Sequence, residues 1–198
     1  MANSILIFGD SIAWGRGEQP NIGWAGRLKQ VHEQKGPWHT VYNLAIPGET
    51  TTNILKHLEI ELQTRISSRK DNVVKVILAI GINDSEEQKG IQKITLEQFE
   101  KNISEVLTAI KKHVQSVYII GLTNLGGKEV LEWEEGKNYF LERIKNYDDC
   151  LKKVSERFDC TFVDVLDVLG LNDLADGLHP NTEGYEKLAK KIIPILTK

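Results

Sequence analysis

The chain has 198 residues, of which 40% are hydrophobic and 27% charged, a balance that fits a globular protein and excludes disordered, fibrous and membrane-embedded classes. Lys and Arg total 25 against 28 Asp and Glu, so the net charge is −3 and no basic footprint exists for a nucleic-acid backbone. The length suits one domain, residues 1–198, around a single large core, and no apolar run reaches the roughly 20 residues of a membrane span.

Met1-Ala2-Asn3-Ser4 leads directly into apolar sequence, without the basic flank and long hydrophobic segment of a removable leader. With Cys150 and Cys160 the only cysteines, the expectation is a cytoplasmic protein carrying two reduced thiols, one on a helix and one entering a strand.

Ser4-Ile5-Leu6-Ile7-Phe8 is a short, nearly all-apolar run ending at Gly9-Asp10, the pattern of a strand buried on both faces. An irregular helix is expected over residues 24–34, and a second strand over Val41-Tyr42-Asn43-Leu44-Ala45. Leu55, Leu58, Leu62 and Ile66 then mark a helical stripe, followed by a β-branched third strand over residues 73–80. Residues 83–94 read as irregular. Behind Thr95-Leu96-Glu97-Gln98, a capping-box pattern, Leu96, Phe99, Ile103, Val106, Leu107 and Ile110 recur at helical spacing. Val117-Tyr118-Ile119-Ile120 gives a fourth strand, and residues 122–136 a second long irregular stretch. Phe140, Ile144, Tyr147, Leu151 and Val154 predict a helix, Thr161-Phe162-Val163-Asp164 a fifth strand, and Tyr185, Leu188, Ile192 and Ile195 a closing helix. Strand and helix in alternation define an α/β class with a parallel five-stranded sheet and helices on both faces. Ligands of such sheets bind beyond the carboxyl ends of the strands, where both irregular stretches are placed to wall a site.

Four separated segments fall at that edge. Gly9-Asp10-Ser11 puts a hydroxyl at the exit of the first strand, although serine is also an ordinary turn residue. Pro47-Gly48 fixes a turn after the second strand, ahead of a threonine helix cap, and can aim a backbone N–H at the same place. The third strand ends in Gly81-Ile82-Asn83-Asp84, where the Asn83 amide is a neutral donor suited to an oxyanion, or equally to a turn. Asp176-Gly177-Leu178-His179 precedes the closing helix and sets a carboxylate three residues before an imidazole. His32, His39, His57 and His113 have no such companion in sequence and read as surface or filler positions. Asp10 and Asp84 are expected to hold loop amides. Trp14 and Trp24 read equally as pocket wall or core.

With these blocks in order, the sequence resembles the SGNH hydrolases, or GDSL esterase/lipase family. Gly9-Asp10-Ser11, Gly48, Gly81-Ile82-Asn83-Asp84 and Asp176-Gly177-Leu178-His179 match its four blocks, between Ile5 and His179. Ala45 stands where many members have glycine, and Pro47 directly precedes Gly48, which affects the path of the second loop. The resemblance implies a flavodoxin-like three-layer α/β/α sandwich and an esterase or acylhydrolase that needs neither cofactor nor metal. It also implies Ser11 as nucleophile, His179 as base, Asp176 as its orienting acid, and an oxyanion hole of the Ser11 and Gly48 amides with the Asn83 side chain.

Such a triad supplies what a weakly nucleophilic serine lacks at neutral pH: a base within reach and a partner that fixes the tautomer of the base. The expected partner is a small, soluble ester, part of whose acyl group is lined by Leu122, Leu125, Val130, Leu131 and Trp133, unless those residues pack on the sheet edge. Oligomeric state and substrate identity are not written in the sequence. A receiver-like phosphoacceptor using Asp10 and Asp84 leaves Asn83 and the spacing of Asp176 and His179 without a purpose. A dinucleotide site lacks its third glycine after Gly15-Arg16-Gly17. A binding module that keeps the fold without turnover is the remaining alternative.

Overall fold

The computed structural model describes residues 2–66, 72–134 and 136–197. Met1, at the head of the expected leaderless start, and residue 135, inside the second irregular stretch, lie outside the described residues.

Four consecutive apolar side chains, Ile5 to Phe8, are fully buried within strand β1 (Ala2–Gly9). Hiding four such side chains is worth about 6–12 kcal/mol before chain entropy is charged against it, which drives this run into the interior of the sheet. It lies between β2 (His39–Asn43) and β3 (Asn72–Ala79), paired parallel to both. Beyond β3 come β6 (Ser116–Ile120) and β9 (Thr161–Val163), giving a five-stranded parallel sheet in the order β2-β1-β3-β6-β9. All five expected strands are present.

Among the described residues, six α-helices accompany the strands: α1 (Ser11–Trp14), α2 (Gly23–Glu33), α3 (Thr51–Arg65), α4 (Leu96–Lys111), α5 (Leu141–Arg157) and α6 (Thr182–Leu196). They pack in two groups, α1 with α2 and α2 with α6, and α3 with α4 and α4 with α5, and these flank the sheet. The stripe expected on α4 is buried from Phe99 to Ile110, whereas Leu96 is exposed. Half of its capping box forms: Thr95 Oγ1 accepts from Gln98 N at 3.2 Å, but the Gln98 side chain turns away to donate to Asn102 Oδ1 at 2.7 Å. Cys150 lies on α5 and Cys160 just ahead of β9, and neither is in a disulfide.

The two stretches expected to be irregular are so over much of their length, residues 83–86 and 122–129 among them, but not throughout, and the second runs on into residues 137–140. They carry a second sheet, antiparallel, of four short strands: β4 (Glu87–Gln88), β5 (Ile91–Gln92), β7 (Val130–Glu134) and β8 (Lys137–Phe140), in the order β5-β4-β8-β7. Phe140, assigned above to a helix by its spacing from Ile144, is extended (φ −116°, ψ 126°) and ends β8. The hairpin turns meet where Lys89 N donates to Gly136 O at 2.6 Å. This sheet stands over the carboxyl end of the parallel one, because β4 and β5 follow the exit of β3 and β7 and β8 follow that of β6.

Candidate active site

Chain direction brings β1 out at Gly9, and Asp10 caps the short α1 by accepting from Ile12 N at 2.9 Å, which sets Ser11 as the first residue of that helix. Ser11 is 4% exposed, and its Oγ lies 2.8 Å from His179 Nε2, although the two are 168 positions apart in the chain. On the far side of the ring, His179 Nδ1 is 2.8 Å from Asp176 Oδ2. The other carboxylate oxygen, Oδ1, accepts from the backbone N–H groups of Leu178 at 3.0 Å and His179 at 2.8 Å, so the loop is wound around the carboxylate. Leu178 and Pro180 are buried on either side of the histidine, and Asn181 starts α6 by accepting from Gly184 N at 3.0 Å. Gly17, set aside above as part of a failed phosphate loop, has φ +99°, and a Cβ there would collide with the Pro180 carbonyl oxygen and stand 3.0 Å from His179 Cβ. A glycine is required for the segment that follows Ser11 to come this close to the His179 loop.

Burial holds the His179 imidazole below its ordinary pKa, and the Asp176 carboxylate opposes that shift without cancelling it. A ring that is neutral near pH 7 can accept a proton from Ser11. Burial pushes Asp176 the other way, but the bonds from the His179 backbone, its ring and the Leu178 backbone outweigh this and keep the carboxyl below its usual range. Trp133 meets the His179 ring edge to face, with centroids 5.0 Å apart.

Ser11, Gly48, Asn83 and His179 line one crevice of about 160 Å³. Neither the Ser11 nor the Gly48 backbone N–H donates to any atom of the described residues. Gly48 has φ +82° with nothing within 4 Å of the place a Cβ would take, so its peptide stands open to the crevice. Asn83 Nδ2 donates one hydrogen to Glu49 O at 2.9 Å. The rest of the wall comes from the second sheet and its flanks: Glu86, Lys93, Trp133, Glu134, Lys137 and Tyr139, facing Arg16 and Leu178. Lys93 pairs with Glu86 at 3.1 Å and Lys137 with Glu134 at 2.6 Å. Apart from Trp133, these second-sheet residues were not singled out in the sequence.

Asp10 and Asp84 hold loop amides as expected. Asp84 accepts from Thr51 N at 3.1 Å and from Thr51 Oγ1, and so caps α3, a task the expected threonine cap does not perform: Thr50 occupies the N-cap position without using its side chain. Burial pushes Asp10 up to about 7 and Asp84 up to about 6. Trp24 is core, lining a small cavity of about 30 Å³ together with Asp10, Ile12 and Ala13, whereas Trp14 is 38% exposed beside Arg16 and Pro47. Of the five apolar residues expected to form an acyl wall, Leu122, Leu125 and Leu131 are core, Val130 is exposed, and only Trp133 reaches the crevice. His57 and His113 do have acidic neighbours, Glu49 at 3.1 Å and Glu59 at 3.0 Å, and His32 is buried against Asn3 O. Among the described residues, no three His, Cys, Asp or Glu side chains are grouped to hold a metal ion.

A hydroxyl bonded to an imidazole, itself bonded to a carboxylate, at the carboxyl edge of a parallel sheet is the arrangement found in α/β serine hydrolases. The model of the GDSL-like Lipase/Acylhydrolase family matches residues 7–187, and the chain belongs to that family, as a carboxylic ester hydrolase. It is 22% identical to the esterase TesA of Pseudomonas aeruginosa over 98% of this chain and 88% of that protein. It is 28% identical to a multidomain esterase of Ruminococcus flavefaciens over 58% of this chain, a match that spans only 14% of that larger protein. The crystal structure of a member of the lipolytic G-D-S-L family from Veillonella parvula has the same fold, with a TM-score of 0.75 at 18% identity and full coverage of both chains. No described helix is long and apolar enough to cross a membrane.

Proposed function

We propose that the chain is a single-domain serine esterase for small, polar, short-chain acyl esters, acting in a reducing cytoplasm that keeps Cys150 and Cys160 as thiols. Ser11 Oγ attacks the acyl carbonyl as its proton passes to His179 Nε2, and Asp176 holds the ring in the tautomer that leaves Nε2 free to accept. The carbonyl oxygen, now an oxyanion, takes hydrogen bonds from the Ser11 and Gly48 backbone N–H groups and the second Nδ2 hydrogen of Asn83. Collapse breaks the ester C–O bond, and His179 returns the proton to the leaving alcohol. Water, deprotonated by the same imidazole, then attacks the acyl-enzyme, and the carboxylic acid leaves as Ser11 recovers its proton.

The observation that carries this reading is the 2.8 Å contact between Ser11 Oγ and His179 Nε2, with Asp176 on the ring's other nitrogen. The crevice sets the substrate size. At about 160 Å³, with five charged side chains in its wall, it is smaller than the pockets of about 300 Å³ and more that take drug-sized ligands, and it offers no apolar channel for a long acyl chain. A series of nitrophenyl esters from acetate to dodecanoate, run beside Ser11→Ala, tests both parts. Turnover should fall steeply beyond butanoate and vanish in Ser11→Ala. Highest turnover on the longest chain would contradict the substrate class, and a fully active Ser11→Ala enzyme the mechanism.

A further inference from the structure

Asn83 carries a constraint that the mechanism above does not use. Its Nδ2 faces a carbonyl, Glu49 O, which only accepts, so the atom there must be the nitrogen and the amide cannot be flipped. The amide oxygen Oδ1 then lies 3.4 Å from the hydroxyl of Tyr139, a residue of β8 that is 2% exposed. Two oxygens meet favourably only when one of them donates, and of this pair only the tyrosine has a hydrogen to give. The same hydroxyl is 3.2 Å from Glu86 Oε2, which also accepts from Lys93 Nζ at 3.1 Å. One phenolic proton therefore serves two acceptors, and the ammonium of Lys93 draws on the carboxylate that competes with Asn83 for it. Burial, reinforced by the Glu86 charge, pushes the phenol far above its ordinary pKa, so it keeps its proton at any working pH.

We propose that Tyr139 is a positioning residue for Asn83: pinned by Glu49 O at one atom and Tyr139 Oη at the other, the carboxamide is left with one course for its second Nδ2–H, into the crevice lined by Ser11. The bond to Oδ1 also polarises the amide and strengthens that donor as charge develops on the acyl oxygen. On this reading the second sheet both walls the crevice and orients one of its donors. The inference rests on Asn83 being an oxyanion donor.

The test is a double-mutant cycle on a short nitrophenyl ester. Tyr139→Phe removes one hydroxyl and keeps the ring. It should lower kcat about tenfold, the most that one net hydrogen bond is worth, with KM changed less than twofold. In an Asn83→Ala background the same change should cost nothing further, because the group it positions is gone. Phosphonylation of Ser11 by an aryl phosphonate, whose phosphoryl oxygen enters the same hole, should slow by the same factor in Tyr139→Phe. If Tyr139→Phe turns over like wild type, or costs as much in the Asn83→Ala background as alone, the positioning role is wrong even with the oxyanion assignment intact. If Asn83→Ala alone keeps full kcat, it is the oxyanion assignment that fails.

Discussion

Replacing Asp176 by Asn changes two atoms, and the loop dictates which way they must face. Oδ1 of Asp176 receives two backbone N–H groups, at 3.0 and 2.8 Å, and only the carbonyl oxygen of an asparagine can take that place. The NH2 group is then forced to the other position, 2.8 Å from His179 Nδ1. It donates there, so Nδ1 becomes an acceptor and the ring proton moves to Nε2, against Ser11, where the base should have a lone pair. The enzyme would keep its geometry and lose its base. Equivalent changes cost about 10⁴ in kcat where the acid is fully buried. The Asp176 side chain is 37% exposed, so solvent shares the charge stabilisation, and a loss of about 10³, or some 4 kcal/mol of transition-state stabilisation, is expected. Burst and steady-state kinetics on nitrophenyl acetate, with thermal unfolding to confirm an intact fold, measure it. A variant that keeps more than a tenth of wild-type kcat would refute the reasoning, because a ring with the wrong tautomer cannot work at that rate.

Two further expectations follow from titration. Burial holds His179 below its ordinary 6.5, and activity needs the neutral ring, so kcat/KM for an uncharged ester should rise with pH through a midpoint below 6.5 and be flat from about pH 7 to 8.5; an acid limb centred above 7 would contradict the assignment. Asp10 ionises at about 7 in the folded chain but near 4 once unfolded, so the wild type loses stability as pH rises from about 4 to 7, up to a ceiling of about 4 kcal/mol. Asp10→Asn keeps the cap on Ile12 without the charge, and urea unfolding should show it gaining on wild type between pH 5 and pH 8, whereas a constant difference would mean that the carboxyl is not ionising under burial.

The parallel sheet is legible in the sequence because its inner strands are buried on both faces: Ile5 to Phe8 and Val76 to Leu78 have no polar interruption to mislead a reader. Ser11, Gly48 and Asn83 are legible as short blocks that follow β1, β2 and β3, and Asp176 and His179 as one block ahead of the closing helix. The second sheet is hidden because β4 and β5 have two residues each and no apolar run at all. One signal was present, the alternation in Val130-Leu131-Glu132-Trp133-Glu134, of which Leu131 and Trp133 face inward and the other three are exposed. Phe140 misled because four residues to Ile144 fit a helix, whereas the chain is still extended there. Asp84 as the cap of α3, and Tyr139 beside Asn83, join residues 33 and 56 positions apart, which no local pattern encodes.

The most direct measurement of the central claim is mass-spectrometric mapping of the protein after partial inactivation by an aryl phosphonate. The account predicts one phosphonyl group per chain, on Ser11, with esterase activity falling in proportion to its occupancy, and no label on Ser11→Ala. Label on another residue, or full hydrolysis by a chain phosphonylated at Ser11, would contradict it.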